Sequence, residues 1–257
     1  MSPREQFLAF LTIVVKEVRR FLRIWPQTLV PPAITVTLYY VIFGSLIGAR
    51  IGPMGGFDYM QFVVPGLIMM AVINNSYANV VSSFFGAKFQ HHIEELLVSP
   101  TPNWVILFGF TIGGVARGLC VGLIVTVISL FFAELRIQHA WLTVGVVVLT
   151  AVLFSLAGLV NAVFANNFDD ISIIPTFVLT PLTYLGGVFY SMEMLSPFWR
   201  SLSQLNPILY MVNAFRHGLL GVSDVHVGFA LGMIGLFIVL AWAYCLYLLE
   251  SGTRLRQ

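Results

Sequence analysis

Six long apolar stretches parted by short polar segments decide what this chain can fold into; they fall at about residues 29–49, 59–83, 104–133, 140–165, 171–190 and 227–249. A bilayer core about 30 Å thick is crossed by about 20 apolar residues in helical form. Only helices or closed barrels satisfy every backbone polar group at that depth. Of the 257 residues, 9% are charged and 58% hydrophobic, where an ordinary soluble domain carries roughly 25% charge. The expected fold is therefore all-α and integral to a membrane. Six transmembrane helices in one domain over residues 1–257, with no separate soluble unit, are expected.

Residues 4–23 precede the first span and carry a different pattern. Phe7, Leu8, Leu11, Val14, Val15, Val18, Phe21 and Leu22 recur at intervals of three and four, with Arg4, Lys16, Glu17, Arg19, Arg20 and Arg23 between them. That spacing predicts a basic amphipathic helix lying at the inner membrane face, its cations toward anionic headgroups. The run that follows is too long for the core of a cleaved signal peptide. With the N-terminus inside, the inner segments hold Arg4, Lys16, Arg19, Arg20, Arg23, Lys88, Arg254 and Arg256, and the outer ones Arg50, Arg136, Arg200 and Arg216. This is the positive-inside bias, and it places both termini in the cytoplasm.

Several spans carry residues that lipid does not favour. Asn75 and Asn79 share a face of the second span, where an amide serves either as interhelical glue or as a substrate contact. Arg117 sits in the third span among Gly113, Gly114 and Gly118. A cation there costs from about 2.5 kcal/mol upward, so Arg117 is expected either in a structural pair or carbonyl clamp, or in transport itself. Pro175, Pro181 and the Gly186-Gly187 pair mark the fifth span as the one that bends.

The polar segments carry the remaining signals. Residues 87–102, AKFQHHIEELLVSPTP, read as a short amphipathic helix with Phe89, Ile93, Leu96 and Leu97 on one face and Gln90, His91, Glu94 and Glu95 on the other, stopped by Pro100 and Pro102. It is either a solvated connector or a docking element. Asn166–Asp170 form a second polar hinge on the same, cytoplasmic side. Residues 191–224 are too apolar for a free loop and too broken to cross. Ser196-Pro197 and Asn206-Pro207 each predict a helix start, giving an external re-entrant hairpin with Arg200, Asn213, Arg216 and His217 directed to headgroups or an opening.

Some chemistries are excluded by what these residues can form. No G-x-x-x-x-G-K-[ST] loop cradles nucleotide phosphates. The adjacent pair His91-His92 points about 100° apart on a helix and lacks metal-ligand spacing. No G-x-S-x-G elbow or buried acid/base carboxylate pair is evident, and Cys120 and Cys245 lie in apolar runs as small hydrophobes. No catalytic, metal or cofactor site is expected in this chain.

The basic N-terminal helix, the six spans, FQHHIEELLVSPTP, FDDISIIPTFVLTPLTYLGGVFY and LNPILYMVNAFRHG together resemble the membrane subunit of an ABC-2 type transporter, of the type V exporter class found in the bacterial inner membrane. The likeness covers essentially the whole chain. It implies a homodimeric permease, each copy binding a separate ATPase subunit that holds ATP and Mg, with membrane lipids around it and no nucleic-acid partner. It further implies that the helix after the second span lodges in a groove of that ATPase and that the fourth-to-fifth loop touches it. Phe89, His91, His92, Glu94, Glu95, Leu96 and Leu97, with Asp169 and Asp170, are then the coupling residues. The path between copies, along the first, second and fifth spans, takes in Tyr39, Tyr40, Asn75, Asn79, Thr180, Tyr184 and Phe189, with Arg117 a further candidate. Export of an amphipathic, lipid-linked or drug-like cargo follows from the same likeness. An ATP-independent carrier or lipid flippase is the alternative, and it requires acidic groups within the spans.

Overall fold

The structure, a computed structural model, describes residues 1–252 and Arg254, with side chains at all but 45–47 and 49. Arg256, counted above among the inner cations, lies outside the described residues. The chain opens with α1 (Pro3–Arg23), the single turn α2 (Trp25–Thr28) and α3 (Val30–Tyr40), which runs on in wider π-wound turns over Val41–Gly48 into α4 (Ala49–Ile51). Then come α5 (Tyr59–Phe89), α6 (His92–Val98), α7 (Asn103–Ser129) and α8 (Ala140–Phe164). A broken rod follows, made of α9 (Asp170–Ile174), π-wound turns over Pro175–Leu179 and α10 (Thr180–Tyr184). After it lie α11 (Pro197–Gln204), α12 (Pro207–Leu220) and α13 (Val227–Ser251).

Among the described residues five helical stretches are long and apolar enough to cross a bilayer: Trp25–Gly44, Tyr59–Phe89, Asn103–Ser129, Ala140–Phe164 and Val227–Ser251. The expected fifth span, 171–190, departs from this. Its rod ends at Tyr184, roughly 22 Å from its start at 1.5 Å per residue, and the chain turns back through Gly187 at φ 72°. Pro175 and Pro181 withhold two N–H donors from the helix ladder, and the winding loosens between them.

The core is organised around α5, which is shielded on every side along Phe62–Ile73 apart from Met70 and packs between α7 and α8. A helix apolar all round belongs in such a position. Small residues bring α7 close on two faces. Gly114, Gly118 and Gly122 meet α5, where a Cβ on Gly122 would lie 2.7 Å from Val72 Cγ2. Gly109 and Gly113 receive α1, where a Cβ on Gly113 would lie 2.5 Å from that of Glu17. This spacing of four is the small-residue seam that lets membrane helices pack backbone to backbone.

The helix expected at the membrane face, α1, packs along α7. It starts with a capping box, Ser2 N–H donating to Glu5 Oε2 at 2.7 Å and Glu5 N–H to Ser2 Oγ at 3.4 Å. It then lies along α7, burying Ile13, Glu17 and Phe21, while Phe7, Leu8, Leu11, Val15 and Leu22 stay exposed. Glu17, which falls among the charged positions by spacing, is fully buried.

The two helices expected within 191–224 are present as α11 and α12, each with proline in its first turn. The cation Arg216 is not directed outward as expected. It is 1% exposed, donates from Nε to Phe62 O at 3.3 Å and from Nη2 to Gly187 O at 2.7 Å, and its guanidinium lies 3.8 Å from the Phe62 ring centroid. It is thus more deeply buried than Arg117, with one carbonyl offered by α5 and one by the turn after α10. Asn206 donates to Leu182 O, Arg200 to Met192 O and Glu193 O, and Asp224 accepts from Ser191 Oγ and the Met192 N–H. These side chains sew the segment after α10 to the hairpin.

Candidate functional site

Two parts of the molecule present the residues singled out by sequence. One is the end of the bundle that carries α6 and the α8–α9 turn, here called the hinge end. The other is a face formed by α3 and the broken rod.

At the hinge end the expected single helix over 87–102 is two pieces. Phe89 closes α5, and the chain breaks at Gln90 and His91, which takes a left-handed conformation at φ 60°. A non-glycine residue there is uncommon and marks a fixed turn. His91 Nδ1 lies 3.1 Å from Glu94 Oε1, which ties the turn to the first residues of α6. Within α6, Ile93 is buried and Leu96 and Leu97 pack against the chain's own core. Phe89, His91, His92, Glu95 and Val98 face outward, Val98 at 85% exposure. Ile93, Leu96 and Leu97 thus hold α6 on its own bundle, and its opposite side and tip remain exposed.

The α8–α9 turn sits beside this element. Phe168 packs on Phe85 and Phe89, with both ring centroids 5.0 Å away. Between those two rings, on the same turn of α5, the buried Lys88 donates from Nζ to Val163 O at 2.6 Å and Ala165 O at 2.8 Å. A cation on the last carbonyls of a helix satisfies acceptors that lack an intrahelical donor and meets the negative end of its dipole. Asp169 is exposed, and Asp170 accepts from the Asn166 N–H at 2.8 Å. That backbone donor holds the Asp170 carboxyl below the usual carboxylate range. Lys88 and Phe168 were not singled out from sequence; the signal was the FFGAKF run, which places two rings and a cation on one helical face.

Behind the hinge end lies a polar seam. Glu17 accepts from Ser83 Oγ at 2.6 Å and from Arg20 Nε at 3.3 Å, and Arg20 Nη2 reaches Asn79 O and Oδ1, both at 2.9 Å. Asn75 accepts from Arg117 Nη2 at 3.2 Å and donates to Ala71 O at 2.9 Å. Arg117 Nε and Asn79 Nδ2 have no hydrogen-bond partner. Asn75, Asn79 and Arg117 therefore belong together, between α1, α5 and α7.

The other path candidates divide. Tyr39 and Tyr184 bring their hydroxyls to 3.4 Å, and Phe189 packs against both, 6.0 Å from the Tyr39 ring and 5.9 Å from that of Tyr184, while stacking on Phe43 at 4.6 Å. Thr180 is exposed beside them and donates to Pro175 O. Tyr40 points the other way, fully buried 5.3 Å from the Phe132 ring, so it is not on this face. Consecutive positions of a helix diverge by about 100°, which separates the two tyrosines. Among the described residues no group of three or more His, Cys, Asp or Glu is placed to hold a metal ion.

Residues 8–220 match the ABC-2 type transporter family, and the chain belongs to it: a membrane-embedded transport permease rather than an enzyme in its own right. It is 62% identical over 252 residues, 98% of either chain, to the inner membrane transport permease YadH of Escherichia coli K12. It is also similar to nodulation protein J of Neorhizobium galegae, 23% identical over 89% of this chain and 87% of that one. Nodulation protein J of Rhizobium leguminosarum bv. viciae is 22% identical over 79% of this chain and 78% of that one.

Proposed function

We propose that this chain is the permease half of an ATP-driven exporter whose ATP and Mg are bound by a separate ATPase subunit. The hinge end faces the cytoplasm with both termini, in keeping with the charge bias along the sequence. ATP binding in the partner favours one arrangement of the permease over another by its differential affinity for the two, and the hinge end is where that difference is delivered. The observation that carries this reading is the pairing of α6 with the α8–α9 turn: two polar segments distant in sequence emerge side by side on a rigid extension of α5.

The exposed face of α3 and the broken rod supports a second copy of the chain as the other partner. Ile34, Leu38 and Phe177 are exposed there, Phe177 at 73%. The Tyr39, Tyr184 and Phe189 group borders the path between copies, a lining that suits an amphipathic, lipid-linked or drug-like cargo. YadH is named an inner membrane transport permease, and the same membrane is the proposed location here. An ATP-independent carrier needs a buried acid free to take up a proton or cation. Glu17 is buried, but both of its oxygens are engaged by Ser83 and Arg20, which favours the ATP-driven reading.

The test is co-expression with a candidate ABC ATPase subunit of the same organism, followed by purification of the complex and measurement of ATP hydrolysis. Val98→Asp and Glu95→Lys are expected to weaken assembly by tenfold or more, about 1.4 kcal/mol. Leu97→Asp instead reports on folding, since Leu97 packs on its own bundle. Assembly and hydrolysis unchanged in both outward variants would overturn the coupling assignment.

A further inference from the structure

The geometry points to Lys88 as a positioning residue that makes α6 and the α8–α9 turn a single docking block for the ATPase, a role that rests on the reading above. Three observations converge. Lys88 is only 8% exposed, and its ammonium is spent on the carbonyls of Val163 and Ala165 at the point where α8 ends. Phe85 and Phe89, three before and one after it, form a socket for Phe168, two residues before the hinge ends at Asp170. One turn later the same α5 backbone breaks into α6.

Neither α6 nor the turn is long enough to hold its own geometry. An isolated helix shorter than about 12 residues is marginal in water, and α6 has 7. Residues 165–169 have no helix of their own. Their relative placement must come from the end of α5, where a buried cation and an aromatic socket fix the turn at two points. Phe168 remains 56% exposed and Phe89 57%, so the socket is also the centre of the surface presented. Lys88 itself is covered and does not touch a partner; it acts through the turn it holds.

The experiment uses the full chain in complex with its ATPase subunit, titrated in detergent for affinity and assayed for maximal ATP hydrolysis. Lys88→Met is expected to weaken assembly about tenfold. In a double-mutant cycle with Asp169→Asn, its effect and that of Asp169 are expected to be strongly non-additive, because a turn no longer held in place cannot use its carboxylate. Phe168→Ala, an exposed truncation that leaves the bundle core intact, is expected to reproduce the weakening and the non-additivity, and it serves where Lys88→Met fails to insert. Full affinity in both single variants, or effects that simply add to that of Asp169→Asn, overturns the inference. Wild-type chain that does not bind the ATPase at all defeats the broader functional reading instead.

Discussion

The Glu17 carboxylate accepts from Ser83 of α5 and from Arg20 of its own helix, while its Cβ and Cγ lie against Gly113 of α7. Removing Glu17 leaves Ser83 Oγ and Arg20 Nε without their acceptor, a loss of about 1–3 kcal/mol. Glu17→Ala is therefore expected to lower the unfolding temperature in detergent and to speed tryptic cleavage at Arg19, Arg20 and Arg23; unchanged proteolysis would show that α1 is held by its apolar contacts alone. Gly113→Leu should release the same helix by steric conflict. Arg117 has an identified partner in Asn75 but keeps Nε without one. Substituting it with Met separates the two roles: if Arg117 only stabilises, export follows the amount of folded protein. A transport role lowers export per folded molecule. At the α8–α9 turn, Asp170 has a carboxyl pKa below its ordinary value. Its contribution to holding the turn is thus complete at neutral pH and is lost only as pH falls through that lowered value. ATPase assembly should be insensitive to Asp170 protonation across the neutral range, which an affinity titration against pH checks.

At the scale of elements, the long spans were legible because about 20 apolar residues in a row admit few other structures. The hairpin helices were legible too, through Ser196-Pro197 and Asn206-Pro207. What sequence spacing did not reveal was direction. Arg216 falls on a short helix beside polar neighbours, yet Phe62 O of α5 and Gly187 O of the turn after α10 accept from it and draw it inward. Nothing local to residue 216 announces that. Arg216→Met should cost about 1–3 kcal/mol, since Gly187 O loses its donor, and expose the 187–195 segment to proteolysis; an unaffected segment would mean that Asp224 and Arg200 suffice. The amphipathic reading of residues 87–102 found the apolar side at Ile93, Leu96 and Leu97, but periodicity shows that an apolar face is buried without showing against what. Here it is buried on α6's own bundle. Glu17 was missed for the converse reason: a charged residue in a basic helix reads as solvated unless a small residue elsewhere, here Gly113, is recognised as its seat.

Across the whole molecule the bonds are unevenly spread. The hinge end is knit together by Lys88, Phe168 and the Glu17 seam, and the far end by the hairpin side chains that hold residues 182–193. The broken rod connects the two, with Pro175 and Pro181 bracketing its π-wound turns and most of its residues exposed. A loosely wound link between two firm ends is suited to pass a displacement of the hinge end to the aromatic face of Tyr39, Tyr184 and Phe189. The most direct measurement of this account is site-specific photo-crosslinking in intact cells, with the reactive residue placed in turn at 95, 98 and 168. Adducts to one and the same nucleotide-hydrolysing subunit from all three positions are predicted. Three positions that capture only lipid, or no ATPase, in cells where the chain still exports its cargo would contradict it.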